Sequence, residues 1–140
     1  MSRTGKNGWK HKGFRIHDLR FMSITFEEFK KVEIRIGKVI SAEKVENADK
    51  LLKLQIDFGP SASSGQDSKG EKMIRQIVSG IAESFTPEEL VGKKLPFIVN
   101  LEYRKFRGEE SQGMLMAIDA NDKTVLLEPA EDVEEGTEVV

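Results

Sequence analysis

The chain has 140 residues, 22 Lys and Arg, 24 Asp and Glu, and a formal net charge of −2. That length fits one domain of ordinary size, and 38% hydrophobic residues with 12 glycines sits in the normal globular range. The lack of cysteine excludes disulfides, thiolate metal sites and cysteine nucleophiles, and with only two histidines, His11 and His17, both near the N-terminus, a histidine-based triad or zinc cluster is hard to build. No stretch approaches the roughly 18 apolar residues of a membrane span, so no membrane, metal or cofactor is expected.

Charge is unevenly placed. Residues 1–22 carry Arg3, Lys6, Lys10, Lys12, Arg15 and Arg20 against Asp18, a balance of +5 that leaves −7 for the remainder. With three glycines and neither helical nor strand periodicity, residues 1–22 read as a basic, disordered arm. The arm is a functional extension, an expression-derived one, or a stretch upstream of a start at Met22. It has no apolar core of the kind a secretory signal needs. From Glu128 to Val140 there are six acids and no base, a region expected to repel phosphates.

The elements follow in order. Thr25 and Glu28 form a capping box for a short helix, with Ile24 and Phe29 spaced for a hydrophobic staple. Val32, Ile34 and Ile36 alternate with polar residues, which predicts strand one to about Ile40, with a bulge or bend at Gly37. Residues 42–50 read as a turn. Leu52, Leu54, Ile56 and Phe58 alternate in strand two. Gly59 to Gly70, GPSASSGQDSKG, is a flexible connector inserted at a turn. Strand three spans about Met73 to Ser79. A second capping signal follows at Thr86, Pro87 and Glu89, with Phe85 facing Leu90 and Gly92 as terminator. Strand four covers Lys94 to Val99 and strand five Met114 to Ile118. A further short strand, Thr124 to Leu127, follows a turn at Asn121-Asp122.

This order predicts an all-β fold: a five-stranded Greek-key barrel of the oligonucleotide-binding type, the OB-fold. It has a short helix between strands three and four, a short N-terminal helix and a C-terminal extension. Residues 23–140 form the domain. Such barrels bind nucleic acid on the face of strands two and three, between the loops joining strands one to two and four to five. The second of these loops is NLEYRKFRGEESQG, Asn100 to Gly113. It interleaves Arg104, Lys105 and Arg107 with Tyr103 and Phe106, a pattern in which cations meet phosphates while aromatic faces stack on bases. The competing reading is a solvated charged hairpin with Phe106 tucked into the barrel mouth. Ser111 and Gln112 add short polar groups. Lys50 and Lys53 extend the basic set from the first loop and strand two. Arg75 and Gln76 point to opposite faces of strand three, and Arg75 is the expected ligand-facing one.

The strings ENADKLLKLQIDFG, RQIVSGIAESFTPEELVGKKLPFIVNL and RKFRGEESQGMLMA resemble the tRNA-binding domain family. Its members include the C-terminal appendage of methionyl-tRNA synthetase, free-standing structure-specific tRNA-binding proteins and, more distantly, the N-terminus of the phenylalanyl-tRNA synthetase beta subunit. The resemblance spans about Ile24 to Val140. It implies a non-catalytic module that binds tRNA by shape in the cytoplasm, free-standing or with an aminoacyl-tRNA synthetase, and a homodimer formed partly through segments after the barrel. The family's loop motif lands on Asn100, Arg104, Lys105, Gly108, Ser111, Gly113 and Met114. It implies phosphate or ribose contacts for Arg104, Lys105 and Ser111, either an RNA contact or a loop-fixing role for Asn100, and packing for Met114. Two departures stand out: the 59–70 insertion, and Glu109-Glu110, whose charges should weaken phosphate affinity. No HIGH-like or KMSKS-like string and no phosphate-cradling loop occurs, so a ligase name would attach by homology alone. The alternative class is a dimeric protein-interaction or secretion-chaperone-like OB-fold protein.

Overall fold

The computed structural model describes residues 22–60 and 72–140; the basic arm, apart from Met22, and most of the Gly/Ser-rich connector lie outside the described residues. Among the described residues two short helices, α1 (Phe26–Phe29) and α2 (Pro87–Leu90), accompany nine strands. These are β1 (Ile34–Lys44), β2 (Leu52–Pro60), β3 (Lys72–Ser79), β4 (Lys94–Ile98), β5 (Arg104–Phe106), β6 (Glu109–Ser111), β7 (Met114–Leu115), β8 (Ala117–Ala120) and β9 (Lys123–Leu126). A five-stranded antiparallel sheet runs in the order β3-β2-β1-β4-β7, while β5-β6 and β8-β9 are separate hairpins. The curled sheet with a helix between β3 and β4 is the OB-type architecture expected from the element order.

The strand β1 serves two partners. Its first half pairs with β4, Ile34 opposite Ile98 through Lys38 opposite Lys94. Its second half pairs with β2, Lys38 opposite Asp57 through Lys44 opposite Leu52. The register slips between Val39 and Ser41, which leaves Ile40 as an extra, exposed residue. Such a bulge bends the strand and tightens its twist. The irregularity therefore lies three residues beyond Gly37, where it was expected. Gly37 answers a different demand: a Cβ there would fall 2.4 Å from Ile56 Cγ2 and 2.7 Å from Phe58 Cε1. Phe58 uses that space to meet Phe97 edge-on, with ring centroids 5.6 Å apart.

The core follows the sequence alternation. Val39, Leu52, Leu54, Ile56, Phe58, Ile77, Leu90, Leu95 and Phe97 form one buried cluster, and Phe85 packs on its margin. Both helix starts form at their predicted places. Glu28 N–H donates to Thr25 Oγ1 at 3.0 Å and Thr25 N–H to Glu28 Oε1 at 2.8 Å. At α2, Thr86 N–H donates to Glu89 Oε1 at 2.8 Å. The staple partners of α1 stay in water, since Ile24 and Phe29 remain 62% and 47% exposed. The predicted fifth strand divides. Met116 N–H donates to Pro96 O at 3.0 Å, after which Ala117–Ala120 leaves the sheet to pair with Lys123–Leu126.

The acidic C-terminal segment docks rather than trails. Gly136 N–H donates to Ile36 O, Ile36 N–H to Thr137 O and Val139 N–H to Ile34 O, at 2.7–2.9 Å. Gly59 (φ +76) and Gly136 (φ +92) lie where the tail crosses β2, and a Cβ on Gly136 would meet Phe58 O at 2.4 Å. Only glycine satisfies both conditions. Lys94 clasps the tail through Asp132 at 2.7 Å and the Val133 carbonyl, and Lys93 reaches Glu128 at 3.2 Å. The Asp132 hydrogen bond is the main reason that the Lys94 ammonium is held above its ordinary pKa, and Lys94 in turn holds Asp132 below the usual carboxylate value. The lowered Asp132 contributes stability that is complete above the unfolded carboxylate pKa of about 3.9 and is lost as pH falls through its folded value. The raised Lys94 contributes stability that is complete below about pH 10.4 and is lost as pH rises through its folded value. The expected outcome is that Lys94→Gln lowers the urea midpoint by a constant amount between about pH 5 and 9. The difference from wild type should shrink below about pH 4 and above about pH 10, and equilibrium unfolding across pH measures it.

Candidate nucleic-acid interface

The connection between β4 and β7 folds into the β5-β6 hairpin. Its register is Arg104 opposite Ser111, Lys105 opposite Glu110 and Phe106 opposite Glu109. The two turn residues, Arg107 and Gly108, both have positive φ, 54° and 84°. That is the signature of the type I′ turn, whose twist matches the flanking strands. Alternation places Arg104, Phe106, Glu109 and Ser111 on one face and Lys105 with Glu110 on the other.

The hairpin is mounted on β3 by polar and apolar contacts together. Ser111 is 3% exposed; its hydroxyl accepts from Val78 N–H at 3.0 Å and donates to Gly113 O at 2.9 Å. Gln112 N–H donates to Gln76 O at 2.7 Å, and Gln76 N–H donates to Gln112 Oε1 at 2.9 Å. Gln76 Nε2 adds a bond to Glu110 O at 2.8 Å. The Arg75 guanidinium donates to Val99 O and, at 3.2 Å, to Gln112 O. Phe106 packs against a small cluster of Val45, Ala48, Leu51 and Val78. The Arg104 guanidinium lies 4.8 Å over the Phe106 ring.

These contacts sort the predicted residues. Arg104, Lys105 and Arg107 are exposed on the hairpin, and Lys50 is exposed on the loop between β1 and β2. Lys50 and Arg107 line one cleft of about 380 Å³ with Ala48, Asp49 and Leu51. The structure thus brings the two expected loops together. The loop between β1 and β2 keeps its shape through turn chemistry, with Asn47 at φ +61°. Lys53 lies on the outer side of β2 with its side chain 21% exposed, 3.1 Å from Glu43 and 3.4 Å from Glu109. The Glu43 hydrogen bond is the main cause of its raised pKa, with burial opposing and Glu109 adding to the rise.

Three expectations change, those for Ser111, Arg75 and Met114, and of the alternatives open for Asn100 and Phe106 the packed ones are seen. Ser111 is buried with its hydroxyl engaged on both sides, so it fixes the hairpin base instead of facing a ribose. Asn100 accepts from Glu33 N–H at 2.8 Å and donates to Lys31 O, which ties the segment after α1 to β4. Arg75 shares the inward side of β3 with Met73 and Ile77 and braces the hairpin from below, while Gln76 takes the outer face beside Gln55. The apolar parity of Met73 and Ile77 already carried that signal. Phe106 packs under the hairpin, which leaves Tyr103, 50% exposed, as the open aromatic face. Met114, expected to pack, is 43% exposed. Among the described residues no group of three or more His, Asp and Glu side chains is placed to hold a metal ion, and no helix is long and apolar enough to cross a membrane.

Comparison with known proteins shows the family and the fold. The family described as "Putative tRNA binding domain" matches residues 34–138. The chain is 48% identical over 116 residues to a methionine–tRNA ligase of Archaeoglobus fulgidus, a match that covers 83% of this chain and 16% of the ligase. It therefore spans about one sixth of the length of such curated relatives. The crystal structure of a MetRS-related protein from Pyrococcus horikoshii superposes with a TM-score of 0.72 at 40% identity, covering 84% of this chain and 98% of that one. The chaperone CsaA of Bacillus anthracis superposes with a TM-score of 0.68 at 26% identity, covering 84% and 99%. The chain belongs to the tRNA-binding domain family and is homologous to the appendage of methionyl-tRNA synthetase.

Proposed function

We propose that this chain is a non-catalytic module that recognises tRNA by shape through its sugar–phosphate backbone, free-standing or as the appendage of a methionyl-tRNA synthetase in the cytoplasm. The observation that carries this reading is the mounted hairpin, which presents Arg104, Lys105 and Arg107 and sets Arg107 beside Lys50. Phosphate contacts of this kind position a nucleic acid without reading its sequence. Tyr103 offers one face for an unpaired base. Asn100, Arg75, Ser111 and Gln112 shape the surface, and Lys53 stands beneath it in an ion pair.

A titration of unfractionated tRNA against wild type and the Arg104→Ala/Lys105→Ala/Arg107→Ala variant tests the reading. The variant is expected to bind roughly tenfold to a hundredfold more weakly at moderate salt, with a log–log salt slope flatter by about 2. Equal binding by the two proteins would remove the site from the hairpin. If wild type binds no tRNA and instead captures unfolded polypeptide, the chaperone-like alternative takes its place. Ser111→Ala separates support from contact. It leaves the buried Val78 N–H without its acceptor and is expected to cost about 1–3 kcal/mol of stability, read as a lower urea midpoint with an unchanged salt slope.

The reading includes a homodimer. Leu127, Val133 and Val139 line an apolar cleft of about 370 Å³ with Ile36, Pro96 and Met116, and α1 exposes Phe26 and Phe29. Sedimentation is expected to give twice the protomer mass, and Leu127→Asp/Val139→Asp is expected to return the protomer. A wild-type protomer at micromolar concentration would remove the dimer from the proposal.

A further inference from the structure

Within that tRNA-binding reading, we propose that Glu109 is a built-in competitor for RNA phosphate at Lys53. The carboxylate sits on the hairpin face turned toward β2 and places Oε1 3.4 Å from Lys53 Nζ and 3.4 Å from Gln76 Nε2. Glu43 occupies the other side of the same ammonium at 3.1 Å. Lys53 is thus shared by two carboxylates, and the trio carries one net negative charge under a hairpin whose exposed side chains include Arg104, Lys105 and Arg107. Glu110 differs. It lies on the opposite face of the hairpin, across from Lys105, and only its backbone carbonyl meets Gln76. The two adjacent acids therefore have separate effects. Glu110 adds a solvated charge, whereas Glu109 holds a cation that a phosphate would otherwise meet. A phosphate reaching Lys53 must displace the Glu109 carboxylate or approach against it.

The test is a salt-dependent titration of unfractionated tRNA with wild type, Glu109→Gln, Glu110→Gln and Lys53→Gln/Glu109→Gln. Glutamine keeps the size of Glu109 and an acceptor for Gln76 Nε2. Glu109→Gln is expected to bind about twofold to fourfold tighter at low salt, the effect of one unit charge about 5–10 Å from a phosphate at the dielectric constant of water. Its log–log slope should steepen by about 0.7–0.9, as one further cation joins the contact set. Removing Lys53 as well should abolish both the gain and the added slope, with urea unfolding confirming that each variant is folded. Unchanged or weaker binding by Glu109→Gln overturns the proposal while leaving the hairpin site intact. So does a Glu110→Gln variant that reproduces both changes, because generic charge removal then explains the gain. If neither wild type nor Glu109→Gln binds tRNA, the functional reading fails and this proposal fails with it.

Discussion

The bend in β1 is the constraint from which the rest of the structure follows. One strand pairs with β4 along its first half and with β2 along its second, and the extra residue at Ile40 turns it between the two. Gly37 admits the Phe58 ring against the strand at that point, so the core aromatics fill the inside of the curl. A flatter β1 would hold β3 and β7 at opposite edges of an open sheet. Curled, the sheet brings β3 close enough to the chain before β7 for Gln112 and Gln76 to exchange two hydrogen bonds. The interface hairpin exists because that junction closes.

The junction also explains why polar residues near the interface are mostly supports. Ser111, Gln112, Arg75 and Asn100 each bond to backbone groups far away in sequence. Buried backbone donors and acceptors need such partners, and a missing one is costly. The hairpin turn shows the same division of labour. Arg107 adopts φ 54°, a conformation more comfortable for Asn or Gly, and strain of this kind persists where the surroundings over-determine it. Phe106 anchors one side of the turn in the Val45–Ala48–Val78 cluster. A cation fixed in this way loses little further freedom when a phosphate arrives, and preorganisation of that sort favours binding.

Much of this was legible in the sequence, for identifiable reasons. Alternation in residues 52–58 marks β2 because one face carries the buried apolar core and the other the polar Lys53, Gln55 and Asp57. The two capping boxes are local, and both helices start where they predict. The aromatic-interleaved cations name the hairpin. The features that escaped are contacts between distant residues. Nothing near Gly37 announces that Phe58 needs its space, and nothing near Lys53 announces that Glu43 and Glu109 converge on it. The break at Met116 comes opposite Pro96, which has no N–H to return the bond its carbonyl accepts, so an apolar run that reads as one strand becomes parts of two. Arg75 is the instructive case. Charge suggested a ligand-facing side chain, while strand parity with Met73 and Ile77 pointed it inward, and parity prevailed because the guanidinium finds two carbonyls there.

A net charge of −2 does not disqualify a nucleic-acid binder, because partners respond to local field rather than to totals. The acidic tail docks where the start of β1 meets the end of β2, near Gly59, while Lys50, Lys53 and the hairpin lie toward the other end of β2. Gly59 stands six positions beyond Lys53 along the strand, which amounts to about 20 Å. The screening length at physiological salt is about 8 Å, so the tail's charges are strongly attenuated at the hairpin, and three of its acids are already paired with Lys93 and Lys94. What a phosphate would meet at the hairpin is the balance of the nearest groups: Arg104, Lys105, Arg107 and Lys50 against Asp49 and Glu110, with Lys53 held between Glu43 and Glu109. On that scale the two carboxylates beside Lys53 weigh more than the whole C-terminal tail, because they sit within one screening length of the contact surface.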